Sequence, residues 1–149
     1  MWSELRRWLR LPLNQKLLLA EAVVALALAR LAILCLPFRR VANWLGAPGA
    51  ETSLEAPAED LATAEEIGWA ISATALRTPW QSQCLAQALA GTWLLRRRRL
   101  EGTVSFGGTR GAREPFAAHA WLRFGPLIVT GGPEHEQFHL FTTFARKSR

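Results

Sequence analysis

Apolar positions along this chain change their period near Gly102. Before it they recur every three or four residues, and after it they alternate. Trp2, Leu5, Trp8 and Leu9 predict a short basic amphipathic helix within residues 1–11, ended by Pro12. The run from Leu13 to Leu36 is apolar almost throughout and closes at Pro37. A further helical turn over residues 39–45 stops at Gly46 and Pro48. Residues 47–57, rich in Pro, Gly, Ser, Thr and Glu, read as a linker or exposed loop. A helix over about 60–75 carries Leu61, Ala64, Ile67, Trp69 and Ile71 on its apolar side, and Glu59, Asp60, Glu65 and Glu66 suit its positive end. Thr78-Pro79 breaks it. The next helix is expected to start near Ser82, a natural N-cap, and to run to about Arg98, burying Leu85, Ala88, Leu89, Trp93 and Leu95.

Past Glu101-Gly102 the alternation predicts strands. Residues 103–106 form the first, followed by a Gly-rich loop over 107–111. Residues 117–124 and 127–130 form a hairpin turning at Gly125-Pro126, and residues 138–144 form the last strand. Helices followed by strands imply an α+β fold. No internal repeat is visible. The expected organisation is a helical subdomain over 1–46, a linker or loop over 47–58, and a core over 59–149.

Composition adds constraints. With 149 residues, half of them hydrophobic, the chain can bury a core and is not a disordered segment. A net charge of +6 argues for acidic partners: a peptide or protein, an anionic membrane surface, or nucleic acid. The charge gathers at Arg6-Arg7, Arg39-Arg40, Arg96 to Arg99 and the tail from Arg146. No zinc-finger, helix-turn-helix or RNP-like signature accompanies it, so nucleic acid is not expected. The stretch from Leu17 to Leu36 is long enough to span a bilayer, but Glu21 and Arg30 inside it are costly at that depth. A helix buried by neighbours or a partner is favoured over a spanning one. Lys16, Arg39 and Arg40 at its ends would allow peripheral membrane contact. Two cysteines make no disulfide framework, and no secretory cleavage signature is evident, so the expectation is a cytoplasmic chain. Cys35, in the apolar helix, reads as a small buried hydrophobe.

Cys84 and His119 are the candidates for chemistry. Cys84 lies in Trp80-Gln81-Ser82-Gln83-Cys84-Leu85, where a Pro-led loop runs into a helix; His119 lies in the alternating strand Phe116-Ala117-Ala118-His119-Ala120-Trp121. A thiol at a helix start and an imidazole on a strand are the parts of a cysteine nucleophile and its base. The first helical turn offers free N–H groups and partial positive charge, which stabilise a thiolate and can serve an oxyanion hole. Gln81 or Gln83 could add a side-chain donor there. The competing reading is an inert buried Cys and a hydrogen-bonded structural His. Alternation puts His119 on the face of Ala117, Trp121 and Arg123. His135 and His139 resemble surface residues. No C-x-x-C or H-E-x-x-H spacing supports a metal site, and no cofactor is expected.

The Trp-x-x-x-Cys-Leu-x-x-Ala-Leu pattern at 80–89 and the Phe-x-Ala-His-Ala-Trp strand at 116–121 resemble the transglutaminase-like cysteine proteases of lasso-peptide biosynthesis. These are the leader peptidases, the B protein of such clusters. Leu11-Pro12, the Leu/Ala helix, and Leu36-Pro37-Phe38-Arg39-Arg40 before Leu45-Gly46 extend the likeness over nearly the whole chain. The resemblance implies a papain-like core in which Cys84 attacks a peptide carbonyl and His119 is the base. It implies removal of the leader from a ribosomally made precursor peptide, after which a separate ATP-dependent cyclase joins the freed amine to an Asp or Glu side chain. It also implies a leader-recognition domain, expected here as a separate protein.

The family usually orients its His with an Asp on the following strand, and this chain departs from that pattern. Pairing about the Gly125-Pro126 turn sets Gly131 roughly opposite His119. Glu134 and Glu136 are the nearest downstream acids, each with solvent exposure as its alternative, and Thr130 is a neutral acceptor. A Cys–His dyad is a further option, because a thiolate needs less help than an alkoxide. Arg96 to Arg99 reads either as a solvated helix end or as a patch for the recognition protein, precursor or cyclase. An amide-forming acyltransferase and a non-catalytic scaffold that presents the leader are the rival functions.

Overall fold

The computed structural model describes residues 2–79, 83–109 and 117–146. Among them run α1 (Trp2–Leu9), α2 (Leu13–Cys35), α3 (Phe38–Leu45), β1 (Ala47–Pro48), α4 (Ala58–Ala75), α5 (Cys84–Arg97), β2 (Thr103–Gly108), β3 (Ala118–Phe124), β4 (Leu127–Thr130) and β5 (His139–Ala145), with a 3-10 turn at Pro133–Gln137. The strands form one antiparallel sheet in the order β1-β5-β2-β3-β4. This is the α+β architecture that the change of period predicts. Pro12, Pro37 and Pro57 stand directly before α2, α3 and α4. A proline there gives up an N–H that helix geometry would leave without an acceptor.

The central element is α5. It packs on α2 and α4 on one side and on β3 and β4 on the other, and eight of its fourteen residues are buried, so it has almost no solvent face. Small residues make this approach feasible: a Cβ on Gly91 would stand 2.6 Å from Leu122 Cδ2, closer than carbon atoms can come. Leu89, Leu94 and Leu95 of α5 join Leu26, Ile71 and Leu122 in one continuous core. Thr92, buried among them, returns its hydroxyl to the Ala88 carbonyl at 2.8 Å. From α2, the buried contributors include Leu18, Ala22, Ala25 and Ala29, and the opposite side of that helix is exposed. By length and composition α2 could cross a membrane, and only 28% of its most apolar stretch is buried.

Four features differ from the sequence expectations, the first being that Cys35, expected to be a buried hydrophobe, is exposed. The segment 47–58 is not a free loop: it supplies β1, Thr52 N–H donates to Thr103 Oγ1 at 2.9 Å, and Arg123 donates to the Thr52 and Gly125 carbonyls. β2 runs on through Gly107 and Gly108, which pair with His119 and Ala118, so the expected Gly-rich loop begins later and lies largely outside the described residues. The Trp121 ring lies over Gly107, where a Cβ would come within 3.0 Å of it, so tertiary packing selects glycine inside a strand. Finally, α5 begins at Cys84, with Gln83 as its N-cap; Ser82 lies outside the described residues.

The arginine run also behaves differently from a solvated helix end. Arg96, with a side chain only 10% exposed, pairs with Glu101 at 3.1 Å and donates to the Trp44 and Leu45 carbonyls at 2.7 and 2.6 Å. It therefore satisfies carbonyls at the end of α3 that helix geometry leaves open, while its guanidinium stacks 4.5 Å from the Trp44 ring. Burial lowers its pKa, and Glu101 opposes that shift. Arg98 donates to Glu21 of α2 at 3.1 Å, with Arg97 3.9 Å from the same carboxylate. Within the run 96–99, only Arg99 is exposed and without an ion pair to a described residue. Arg96→Ala is expected to cost about 3 kcal/mol, because two carbonyls and a carboxylate lose one shared donor. Arg96→Lys should recover less than half, since one ammonium cannot reproduce the planar fork. Urea denaturation checks both; a loss for Arg96→Ala within experimental error would remove Arg96 from this role.

Candidate active site

Cys84 is the first residue of α5, a free thiol and half-buried. Its placement follows from the fold: a helix wedged between two layers has to surface at its ends, and this end carries the thiol. Gln83 is extended and makes no side-chain cap, and the first intrahelical bond joins Gln87 N–H to the Gln83 carbonyl at 3.0 Å. Helix geometry leaves the N–H groups of residues 84–86 without intrahelical acceptors, beside the thiol and at the positive end of the dipole.

His119 sits near the start of β3. Its Nε2 lies 2.9 Å from the Gly131 carbonyl oxygen. A carbonyl only accepts, so in the neutral ring Nε2 carries the proton and Nδ1 holds the free lone pair. The plane of the ring is set as well: it stacks on Phe138 at 4.6 Å and lies nearly parallel to Trp121 at 5.9 Å. Trp121 in turn meets the ring of His135, whose Nδ1 is 2.8 Å from the Gly132 carbonyl. His135 thus belongs to this aromatic group and is not a free surface residue. Gly131 has φ +103, and a Cβ there would stand 2.3 Å from Trp121 Cβ. No acid side chain can occupy that position.

Cys84 and His119 line the same cavity of about 770 Å³, with Gln83, Gln87, Trp69 and Thr130. Residues 20–143 match the family model described as transglutaminase-like superfamily. The chain belongs to that superfamily. No curated protein and no solved structure matches it. The superfamily brings a cysteine-based catalytic fold, and in this transglutaminase-like chain Cys84 and His119 are the thiol and imidazole that share the cavity.

The other candidates of this transglutaminase-like protein fall differently. Glu136 is exposed and makes no hydrogen bond to His119 among the described residues. Glu134 lies in the 3-10 turn, and its side chain, like the whole of Gln81, is outside what is described. Gln83 reaches the cavity; Thr130 lines it too but does not bond His119. Thr130 Oγ1 is instead a buried polar atom with no partner among the described residues. A bulge explains the shift. Leu122 pairs with Thr130 while Arg123 pairs with Ile128, so Val129 is an extra residue and Gly131 comes beside Trp121 rather than opposite His119. The sequence reading missed Phe138, Gln87 and the cavity role of Trp69, which is 42% exposed and not on the buried side of α4. Among the described residues no three His, Cys, Asp or Glu side chains group closely enough to hold a metal ion.

Two outcomes test this geometry. Long-range ¹⁵N–¹H correlation spectra at a pH where His119 is neutral should show the Nε2–H tautomer; an Nδ1–H ring would mean that the Gly131 carbonyl does not hold it. Gly131→Ala should cost about 2 kcal/mol or more, through its positive φ and its collision with Trp121, as read by thermal denaturation.

Proposed function

We propose that this chain is a cysteine peptidase that removes the leader from a ribosomally made lasso-type precursor in the cytoplasm. The supporting observation is a thiol at the first position of a buried helix that shares one open cavity with an imidazole already oriented by a fixed acceptor. His119 Nδ1 takes the thiol proton, and Cys84 Sγ attacks the carbonyl carbon of the scissile bond. The N–H groups of the first turn of α5 receive the oxyanion, with Gln83 available as a further donor. As the C–N bond breaks, the imidazolium returns its proton to the leaving amine, and the core peptide departs with a free N-terminus. The leader remains as a thioester on Cys84. Water, deprotonated by His119, then hydrolyses it.

The Gly131 carbonyl does part of what a carboxylate does. It fixes the tautomer and orients the ring, but contributes a dipole in place of a full charge to the imidazolium. A thiol tolerates that loss better than a serine, because its pKa lies far nearer to that of the imidazole. On this reading the leader is delivered by a separate recognition protein and the freed amine passes to an ATP-dependent cyclase.

Reconstitution with the cognate precursor and recognition protein tests the proposal. Leader release should fall by at least about 10³-fold in Cys84→Ala, and by roughly 10²- to 10⁴-fold in His119→Ala. Parent-like cleavage by Cys84→Ala would overturn the peptidase reading. Mass spectrometry of the product decides between rivals: a free core amine marks hydrolysis, whereas a new amide marks acyl transfer. A Cys84 no more reactive toward iodoacetamide than a model thiol would favour a scaffold.

A further inference from the structure

A 23-residue helix with two apolar faces needs two covers, and the core supplies only one of them for α2. The outer stripe runs through Leu13, Leu17, Val24, Leu28 and Leu31, each half or more exposed. Their spacing keeps them on one side of the helix over about 27 Å. The carboxylate of α2 does not interrupt it, since Glu21 is turned to Arg98 and Arg97 of α5. Exposed Leu5, Trp8 and Leu9 add apolar area from α1. Cations flank the stripe at both ends: Arg6, Arg7 and Arg10 precede it and Arg39 and Arg40 follow it, all exposed. Leu28, together with Leu36, also borders an apolar groove of about 420 Å³ between α2, α3 and α5, where Arg40 is the one charged residue of the lining.

We propose that this face docks the protein on an anionic bilayer, with α2 lying flat in the interface and the groove beside Arg40 receiving an acyl chain whose headgroup phosphate that arginine meets. The charge pattern selects this occupant. A second copy placed on the same face would oppose cations to cations, because both ends of the stripe are basic. A protein partner would ordinarily be met by hydrogen-bonding groups within the contact, and this stripe offers only aliphatic side chains. Crossing the bilayer is excluded by the inner face. It would strip Ala22 and Leu26 from the core and carry Glu21 away from its arginines. The inference does not depend on the peptidase reading.

Vesicle co-sedimentation of the full chain tests it. Binding to phosphatidylcholine vesicles containing phosphatidylglycerol should exceed binding to phosphatidylcholine alone by more than about tenfold, and high salt should weaken it. Leu28→Asp with Leu31→Asp should reduce binding by more than about tenfold, with circular dichroism and the Cys84 alkylation rate unchanged. Arg39→Glu with Arg40→Glu should remove the preference for anionic vesicles, and it serves alone if the aspartate variant fails to fold. A chain that stays in the supernatant with anionic vesicles overturns the proposal. So does retention after alkaline carbonate washing, which marks a spanning helix. A parent dimer by light scattering that the aspartate pair converts to monomer would assign the face to a second copy.

Discussion

The absence of a solvent side on α5 is the constraint from which most of this molecule follows. A helix held between α2 and α4 on one side and the sheet on the other can carry only small or aliphatic residues through its middle, and the run Ala88-Leu89-Ala90-Gly91-Thr92 obeys that rule. Polar groups are displaced to its two ends. The thiol stands at the start, where main-chain donors are unspent. At the far end Arg96 and Arg98 reach out to α3 and α2. The same burial that stabilises the helix therefore separates a chemical end from a structural end.

Much of this was legible along the chain. Pro12 and Pro37 are readable as breaks between helices because their chemistry is local, and the change from a period near 3.6 to a period of two locates the sheet. The hairpin turn at Gly125-Pro126 was readable for the same reason. What escaped depended on distant partners. Glycines 107 and 108 have low strand propensity, yet they lie in β2 because Trp121 needs the space above one of them. The arginine run looks like a solvated turn until Glu21, Trp44 and Glu101 come within reach. The bulge at Val129 leaves no mark in composition, and it moves the pairing by one residue at the place where the His neighbour has to be read.

The pairing of Glu21 with Arg98 also couples two parts of the chain that the sequence treats as separate. A carboxylate inside a long apolar helix is a liability in lipid and an anchor in a folded protein. Here it fastens α2 to the end of α5 remote from Cys84. An apolar helix can then lie open along its outer side without coming away from the body.

The partner of His119 is a peptide carbonyl, and no codon encodes or deletes it. A scan of side chains for the group that aligns the imidazole would find nothing at residue 131 to remove, and would record a dyad. Sensitivity should surface on adding a side chain at Gly131, where the backbone and Cβ of Trp121 leave room for nothing but a hydrogen. The alignment of the His119 ring among the described residues is thus a shape of the chain, written into the sequence as a glycine at 131.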